Sequence, residues 1–307
     1  MTTSEQATPA APRRSTPALS RWRRQAPWYD YGGRLSPFKL AVFVLLFVPA
    51  VWVMVAFPLG WLGARPTNEA IHQIGLWTLR FIFIALAITP LRAVLQWQRL
   101  ILVRRMVGVA AFAYAVTHLL VYTASEAFDL AKVASEIVLR IYLTIGFAAV
   151  LGLSALAATS TDAMVRRLGR RWQTLHRLVY LIALLAVIHY WMQSKLEIWE
   201  PTIMAGIYLW LMGYRLLARR FGLRGRLSPG WVGGLGVAAS LLTAGGEALY
   251  FWLAYGADPE RVIAANWSLA LGLRPAVVVL GLGLVVTLAG LLRSMISTPA
   301  GRRPRFA

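Results

Sequence analysis

Residues 106–123 read MVGVAAFAYAVTHLLVYT. The run carries no charge, is stopped by Arg104 and Arg105 on one side and is followed by Glu126 and Asp129 on the other. A bilayer core about 30 Å thick takes roughly 20 mostly apolar residues as a helix. In lipid, every backbone N–H and C=O must be paired within the element. The stretch therefore reads as a membrane-spanning helix with one imidazole, that of His118, inside it.

Seven further runs are similarly long and mostly apolar: Leu40–Leu62, Ile74–Leu91, Ile141–Ala158, Leu175–Gln193, Pro201–Leu217, Val232–Tyr255 and Pro275–Leu292. None alternates apolar and polar residues as a β-barrel strand would. Breakers and turn formers lie between several of them: Gly63 to Pro66, Pro90, and Ser228-Pro229-Gly230. The expected fold is all-α, a polytopic membrane helix bundle of eight spans.

Composition agrees. Of 307 residues, 58% are hydrophobic and 14% charged, where soluble domains carry roughly 25% charged residues. This excludes a disordered chain. The absence of Cys excludes a disulfide scaffold, a thiolate metal site, an iron–sulfur cluster and a covalently attached c-type haem. The net charge of +20 has a topological origin. With the N-terminus inside, 25 of the 32 basic residues fall in five inner segments and six in outer loops, while eight of the 12 acids fall outside. Both termini are then cytoplasmic, and a nucleic-acid partner is not needed to explain the charge. Residues 1–39 form a basic tail that suits anionic lipid through Arg21, Arg23 and Arg24. The first apolar run is too long for a signal peptide and lacks a cleavage pattern. Trp28, Trp52, Trp61, Trp77, Trp97, Trp191 and Trp199 lie near span ends and suit an aromatic belt.

The chain has four histidines: His72, His118, His176 and His189. At about 1.5 Å rise per residue, His118 stands about 20 Å above the cytoplasmic edge and His189, on another helix, about 21 Å. Matched depth on separate helices suits two axial ligands clamping one haem. A bis-His iron has no open position, so it passes electrons and does not bind oxygen. His176 lies about 20 Å below His189, which leaves room for a second redox group. A lone His in a span is commonly a packing or hydrogen-bonding residue, and His72, at the outer start of the second span, reads as an interfacial hydrogen bonder. Arg80, about 9 Å below the outer edge, suits a haem propionate; the plainer reading is a snorkelling Arg held by Glu69. Glu247, in the seventh span, has no evident partner. The arginines at 166, 167, 170 and 171 set topology, or form a cationic mouth for a flavin phosphate or an acidic reductase.

Several motifs resemble one family. They are Gly75-Leu-Trp-Thr-Leu-Arg80 with Ala87-Ile-Thr-Pro-Leu-Arg92, and Arg104-Arg105-Met-Val-Gly108 with Ala113-Tyr114 and His118-Leu-Leu-Val-Tyr122. They continue through Thr159-Ser160-Thr-Asp-Ala-Met164, Arg167-Leu-Gly169, Trp172, Leu175-His176-Arg177-Leu178, Tyr180 and His189-Tyr190. Together, over about residues 27–218, they resemble the MsrQ family of haem-binding membrane subunits of periplasmic protein-methionine-sulfoxide reductase systems, within the ferric-reductase-like transmembrane group. The resemblance implies b-type haem, and also FMN. It implies electrons drawn from the quinone pool or a cytoplasmic flavin reductase, and delivered to a periplasmic molybdopterin-containing subunit that reduces methionine sulfoxide. It implies a bacterial inner-membrane location and places His118, His176 and His189 on the family's ligand histidines. Where related two-haem reductases carry another His early in the third span, this chain has Arg104-Arg105, so the inner site lacks an evident second ligand.

The expected organisation is a tail (1–39), a six-span ferric-reductase-like haem domain (40–218) and a two-span C-terminal extension (219–307) beyond the usual end of the family. No G-x-G-x-x-G opens a βαβ unit, so no nucleotide-binding domain is expected. Two other function classes fit less well: a stand-alone quinone or ferric-chelate reductase, and a transporter or scaffold whose histidines only pack. A transporter favours intramembrane acids and broken helices, and Glu247 is the sole such acid in the spans read here.

Overall fold

The computed structural model describes residues 26–30, 33–195, 197–222, 226–268, 270 and 272–296. Arg21, Arg23, Arg24 and the tail beyond Ile296 lie outside the described residues. Regular structure among the described residues is helical. Seven segments are long and apolar enough to cross a membrane: Pro37–Ala56, Pro66–Val94, Gln98–Ser125, Ile141–Ala158, Arg170–Gln193, Pro229–Tyr255 and Pro275–Ile296. The protein is a multi-pass helical membrane protein.

The chain divides into two compact units. The first ends at Phe47 and holds α1 (Pro37–Leu45). Pro37 sits in the first turn, where its missing N–H leaves nothing unpaired. Lys39 donates to the Tyr29 carbonyl at 2.9 Å, and Trp28 meets Phe43 edge-on at 5.0 Å.

The second unit, from Val48, holds α2 (Val48–Ala56), α3 (Pro66–Val94), α4 (Arg104–Ser125), α5 (Leu130–Leu139), α6 (Ile141–Ala158), α7 (Asp162–Leu168), α8 (Arg170–His176), α9 (Val179–Gln193), α10 (Trp199–Arg220), α11 (Pro229–Tyr255), α12 (Pro259–Trp267) and α13 (Pro275–Ile296). Three pairings dominate its packing: α3 with α4, α6 with α9, and α11 with α13. The first two are repeats of one plan, described below.

Pro90, expected as a breaker, lies inside α3, which runs on to Val94. Proline has no N–H, so the carbonyl four residues back, that of Leu86, loses its helical donor. The guanidinium of Arg215 on α10 donates to that carbonyl and to its own Leu211 carbonyl, and stacks over Tyr180 at 5.2 Å. A neighbouring helix thus supplies the bond that keeps α3 continuous, as membrane helices with internal proline require.

The sixth expected span, Pro201–Leu217, forms as α10 and is long enough to cross, yet it falls outside the seven apolar segments. Arg215, Tyr208 and Tyr214 lower its apolarity, and one face is buried against protein through Gly206, Trp210, Leu211 and Tyr214. A helix enclosed by neighbours need not be uniformly apolar.

The C-terminal helices pack on this buried α10. Gly283 of α13 approaches Gly236 of α11 so closely that a Cβ there would stand 2.8 Å from the Gly236 Cα. Small residues let membrane helices approach in this way. Glu247 is 2% exposed, and its partners are now evident. Arg274 donates to Oε1 at 2.6 Å and Asn266 to Oε2 at 2.7 Å. Asn266 in turn accepts from the Ala276 N–H at 3.2 Å. One carboxylate therefore ties α11, α12 and the start of α13 together.

Candidate functional site

His118 on α4 and His189 on α9 face each other, with ring centroids 6.4 Å apart and ring planes at 83°. Each ring is fixed from a different helix. The Nδ1 of His118 bonds the Ile71 carbonyl of α3 at 2.8 Å, and that of His189 bonds the Tyr142 carbonyl of α6 at 2.7 Å. A carbonyl only accepts, so each Nδ1 carries the proton. Each Nε2 then keeps its lone pair, the tautomer that suits a metal ligand.

The two halves are related by a constant offset of 71 residues. Ile71 maps to Tyr142, Gly75 to Gly146, Leu79 to Val150, Ile82 to Leu153, Ala115 to Ala186 and His118 to His189. All twelve line one cavity of about 430 Å³, within the usual range for cofactor pockets, roughly 300–1,000 Å³. The helix pair α3–α4 thus presents one imidazole and apolar wall, and α6–α9 presents the other. The matched depth expected for His118 and His189 is a consequence of this repetition.

At one end of the cavity the lining turns polar. Tyr122 donates to Glu136, which also pairs with Arg140 at 3.0 Å. Lys132 pairs with Glu126, whose carboxylate holds the ammonium above its ordinary pKa. Among the described residues no cluster of three or more His, Asp or Glu side chains is placed to hold a metal ion.

The other expected site residues lie as follows. Arg80 does not line the cavity. Its guanidinium pairs with Glu200 of α10 at 3.3 Å and lies 4.9 Å from the Trp77 ring centroid. Glu69, the partner suggested by proximity, accepts instead from Gln73 at 2.7 Å. Glu200 also accepts from Tyr190 at 2.6 Å, so Arg80 reaches the site through Glu200 and the residue next to His189. His176 is at the far end of its span. It stacks on Trp172 at 3.8 Å, its Nδ1 bonds the Trp172 carbonyl at 3.1 Å and its Nε2 lies 3.4 Å from Ser160 Oγ. The position 71 residues before His176 is Arg105, which is paired with Asp162. That guanidinium holds the Asp162 carboxyl below its ordinary pKa.

His72, expected at the interface as a hydrogen bonder, lines the cavity, with its ring 5.7 Å from Tyr190. Sequence reasoning missed this inward placement and also the Gly75 and Gly146 positions beside the imidazoles. The signal was present: each glycine precedes its histidine by 43 residues.

Comparison with known proteins bears on the same region. Residues 71–187 match the ferric reductase like transmembrane component family. That range includes His118 and His176 and ends two residues before His189. The chain is 45% identical over 181 residues to the protein-methionine-sulfoxide reductase heme-binding subunit MsrQ of Rhodospirillum rubrum, covering 58% of this chain and 87% of that protein. It is 39% identical over 189 residues to the subunit of the same name from Azospira oryzae, covering 61% and 81%. For that from Xanthomonas oryzae pv. oryzae the identity is 48% over 164 residues, covering 52% and 75%. No solved structure matches. With such identity across most of the length of these relatives, the chain belongs to the MsrQ family of ferric-reductase-like transmembrane proteins.

Proposed function

We propose that this protein is the haem-carrying electron-transfer subunit of a membrane oxidoreductase system whose soluble partner reduces methionine sulfoxide. The observation that carries the reading is the imidazole pair. Two imidazoles bound through Nε2 on opposite sides of one metal stand roughly 6.3 Å apart, centroid to centroid, from metal–nitrogen bonds of about 2.0–2.1 Å plus the ring dimension. The observed separation is 6.4 Å. Two histidines do not complete the coordination of a bare ion, and no third ligand joins them among the described residues. A haem would supply the remaining ligands itself and would need only these two imidazoles from the protein.

His118 and His189 would hold the haem iron through Nε2. The Ile71 and Tyr142 carbonyls fix their tautomer and orientation and raise their basicity. Leu79, Val150, Ile82 and Leu153 keep water from the faces between them. Haem supplies one-electron chemistry at iron when bound. Arg80 acts indirectly, holding Glu200 and through it Tyr190 beside His189.

The charge bias supports an inner-membrane orientation with both termini cytoplasmic. The cavity then opens toward the periplasm, where a molybdopterin-containing reductase subunit receives the electrons. The opposite end carries His176, Trp172 and the arginines near them, and faces the donor, a quinone or a reduced flavin such as FMN. The tail (1–39), haem domain (40–218) and extension (219–307) are the functional divisions within this reading.

Reduced-minus-oxidised optical spectra of the purified full chain, with a haem-to-protein ratio, test it. A b-type signal from low-spin iron is expected. Colourless, folded protein made with ample haem supply overturns the reading.

A further inference from the structure

Gly75 and Gly146 lie where helices α3 and α6 face the imidazoles. A Cβ at Gly75 would stand 2.9 Å from both Cε1 and Nδ1 of His118. At Gly146 it would stand 2.7 Å from Nδ1 and 2.8 Å from Cε1 of His189. Neither ring can simply turn away, because its Nδ1–H is bonded to the carbonyl four residues earlier on the same helix, Ile71 or Tyr142. In an α-helix that carbonyl points toward the residue four positions on. A side chain at position 75 or 146 would cover the carbonyl's open flank. Absence of a side chain there both exposes the acceptor and makes room for the ring. The 71-residue offset preserves the arrangement on both sides, including carbonyl, glycine and histidine.

We infer that Gly75 and Gly146 are paired positioning residues that set the gap between His118 and His189, and thereby select a planar cofactor held by two axial imidazoles. This rests on the haem reading and adds the residues that establish its geometry. His176 has no such seat, and its Nδ1 bonds the Trp172 carbonyl of its own helix.

The test uses the full chain carrying Gly75→Ala, Gly146→Ala or, as a control, Gly108→Ala, whose added Cβ meets nothing within 4 Å. Haem-to-protein ratio, the low-spin optical and electron-paramagnetic-resonance signatures, and carbon monoxide binding are read for each. Disturbing a group that orients a metal ligand costs about 10–100-fold in affinity. Each seat variant is therefore expected to bind haem at least about tenfold more weakly. In the fraction that retains haem, a high-spin, carbon-monoxide-reactive form should appear as one imidazole is displaced. Gly108→Ala should match the wild type.

A second measurement separates positioning from misfolding. In a His118→Ala background, imidazole supplied from solution restores the missing ligand, and adding Gly75→Ala should then change haem binding little. Red wild type with seat variants spectrally unchanged and inert to carbon monoxide overturns the inference alone. So does a Gly75→Ala defect that is as large in the imidazole-rescued background. A colourless wild type overturns the haem reading and the inference with it.

Discussion

Two polar clusters of this bundle differ in what they leave open. In the His118–His189 pair, each ring spends one nitrogen on a backbone carbonyl and keeps the other beside a cavity of about 430 Å³. In the Glu247–Asn266–Arg274 cluster, both carboxylate oxygens are occupied, and the amide uses its oxygen on the Ala276 N–H. Burying a polar group is costly unless it is paired. A cluster whose carboxylate is paired on both oxygens holds helices together; one that keeps an unused ligand atom beside a cavity can bind a cofactor. His118 of the first lies within residues 71–187, which match the family model, and the second ties down the C-terminal helices. Glu247, the acid on which a transporter reading would draw, is engaged on both oxygens.

The largest expected effect tests the open cluster. His118→Ala or His189→Ala should abolish the low-spin signal, while His176→Ala should leave it, because His176 is engaged by Trp172 and Ser160 away from the cavity. Optical and electron-paramagnetic-resonance spectra of the three variants decide this. A low-spin signal that survives both cavity variants and disappears in His176→Ala would reverse the comparison.

The closed cluster should respond in the opposite sense. Glu247→Leu leaves the Arg274 guanidinium, 27% exposed, and the buried Asn266 amide without their carboxylate. Breaking one partner of a fully buried ion pair costs about 3–5 kcal/mol, an upper bound where one partner is reached by water. Thermal unfolding in detergent should therefore shift strongly, while the spectrum of the haem that remains bound stays as in the wild type. Spectral change at unchanged stability would mean that the extension communicates with the cavity rather than bracing the bundle.

Between these extremes lies Tyr190, which lines the cavity and donates to Glu200 at 2.6 Å. Tyr190→Phe removes that donor, and Arg80 remains on the carboxylate at 3.3 Å. A loss of about 1–2 kcal/mol in stability is expected, with low-spin coordination retained. Loss of coordination itself would move Tyr190 into the same class as the two ligands.

What could be read from the sequence was local or periodic. Hydropathy located the helices, and counting residues from the charged edges brought His118 and His189 to one depth. What could not be read depended on distant partners. Arg80 pairs with Glu200, 120 residues away, rather than with Glu69. Glu247 finds Arg274 and Asn266 on other elements. Pro90 looked like a helix end because its missing donor is a local fact, whereas the guanidinium that replaces it comes from Arg215, far along the chain. The polarity of α10 within the span has the same origin: Arg215 is satisfied by a neighbouring backbone, which hydropathy does not register. The glycine seats were legible only through the 71-residue offset, a relation between two segments that a span-by-span reading does not reveal.

The smallest effect belongs to the opposite end of the bundle, where the position equivalent to His176 is occupied by Arg105. Its partner Asp162 is 72% exposed, so water screens the pair and its contribution is about 0–1 kcal/mol. The hydrogen bond from Arg105 and its charge lower the Asp162 pKa in the folded protein. A carboxylate with a depressed folded pKa contributes stability above its unfolded pKa and loses it as pH falls through the folded value. Wild-type stability should therefore decline slightly more than that of Asp162→Asn below the usual carboxylate range, and the small difference between them should vanish at the acid end. At neutral pH the variant should be weaker by less than about 1 kcal/mol and spectrally unchanged. Thermal unfolding of both proteins across acid to neutral pH checks this. A large stability loss, or any change in the low-spin signal, would mean that the Arg105–Asp162 pair supports the cavity itself and that the two ends of the bundle are not independent.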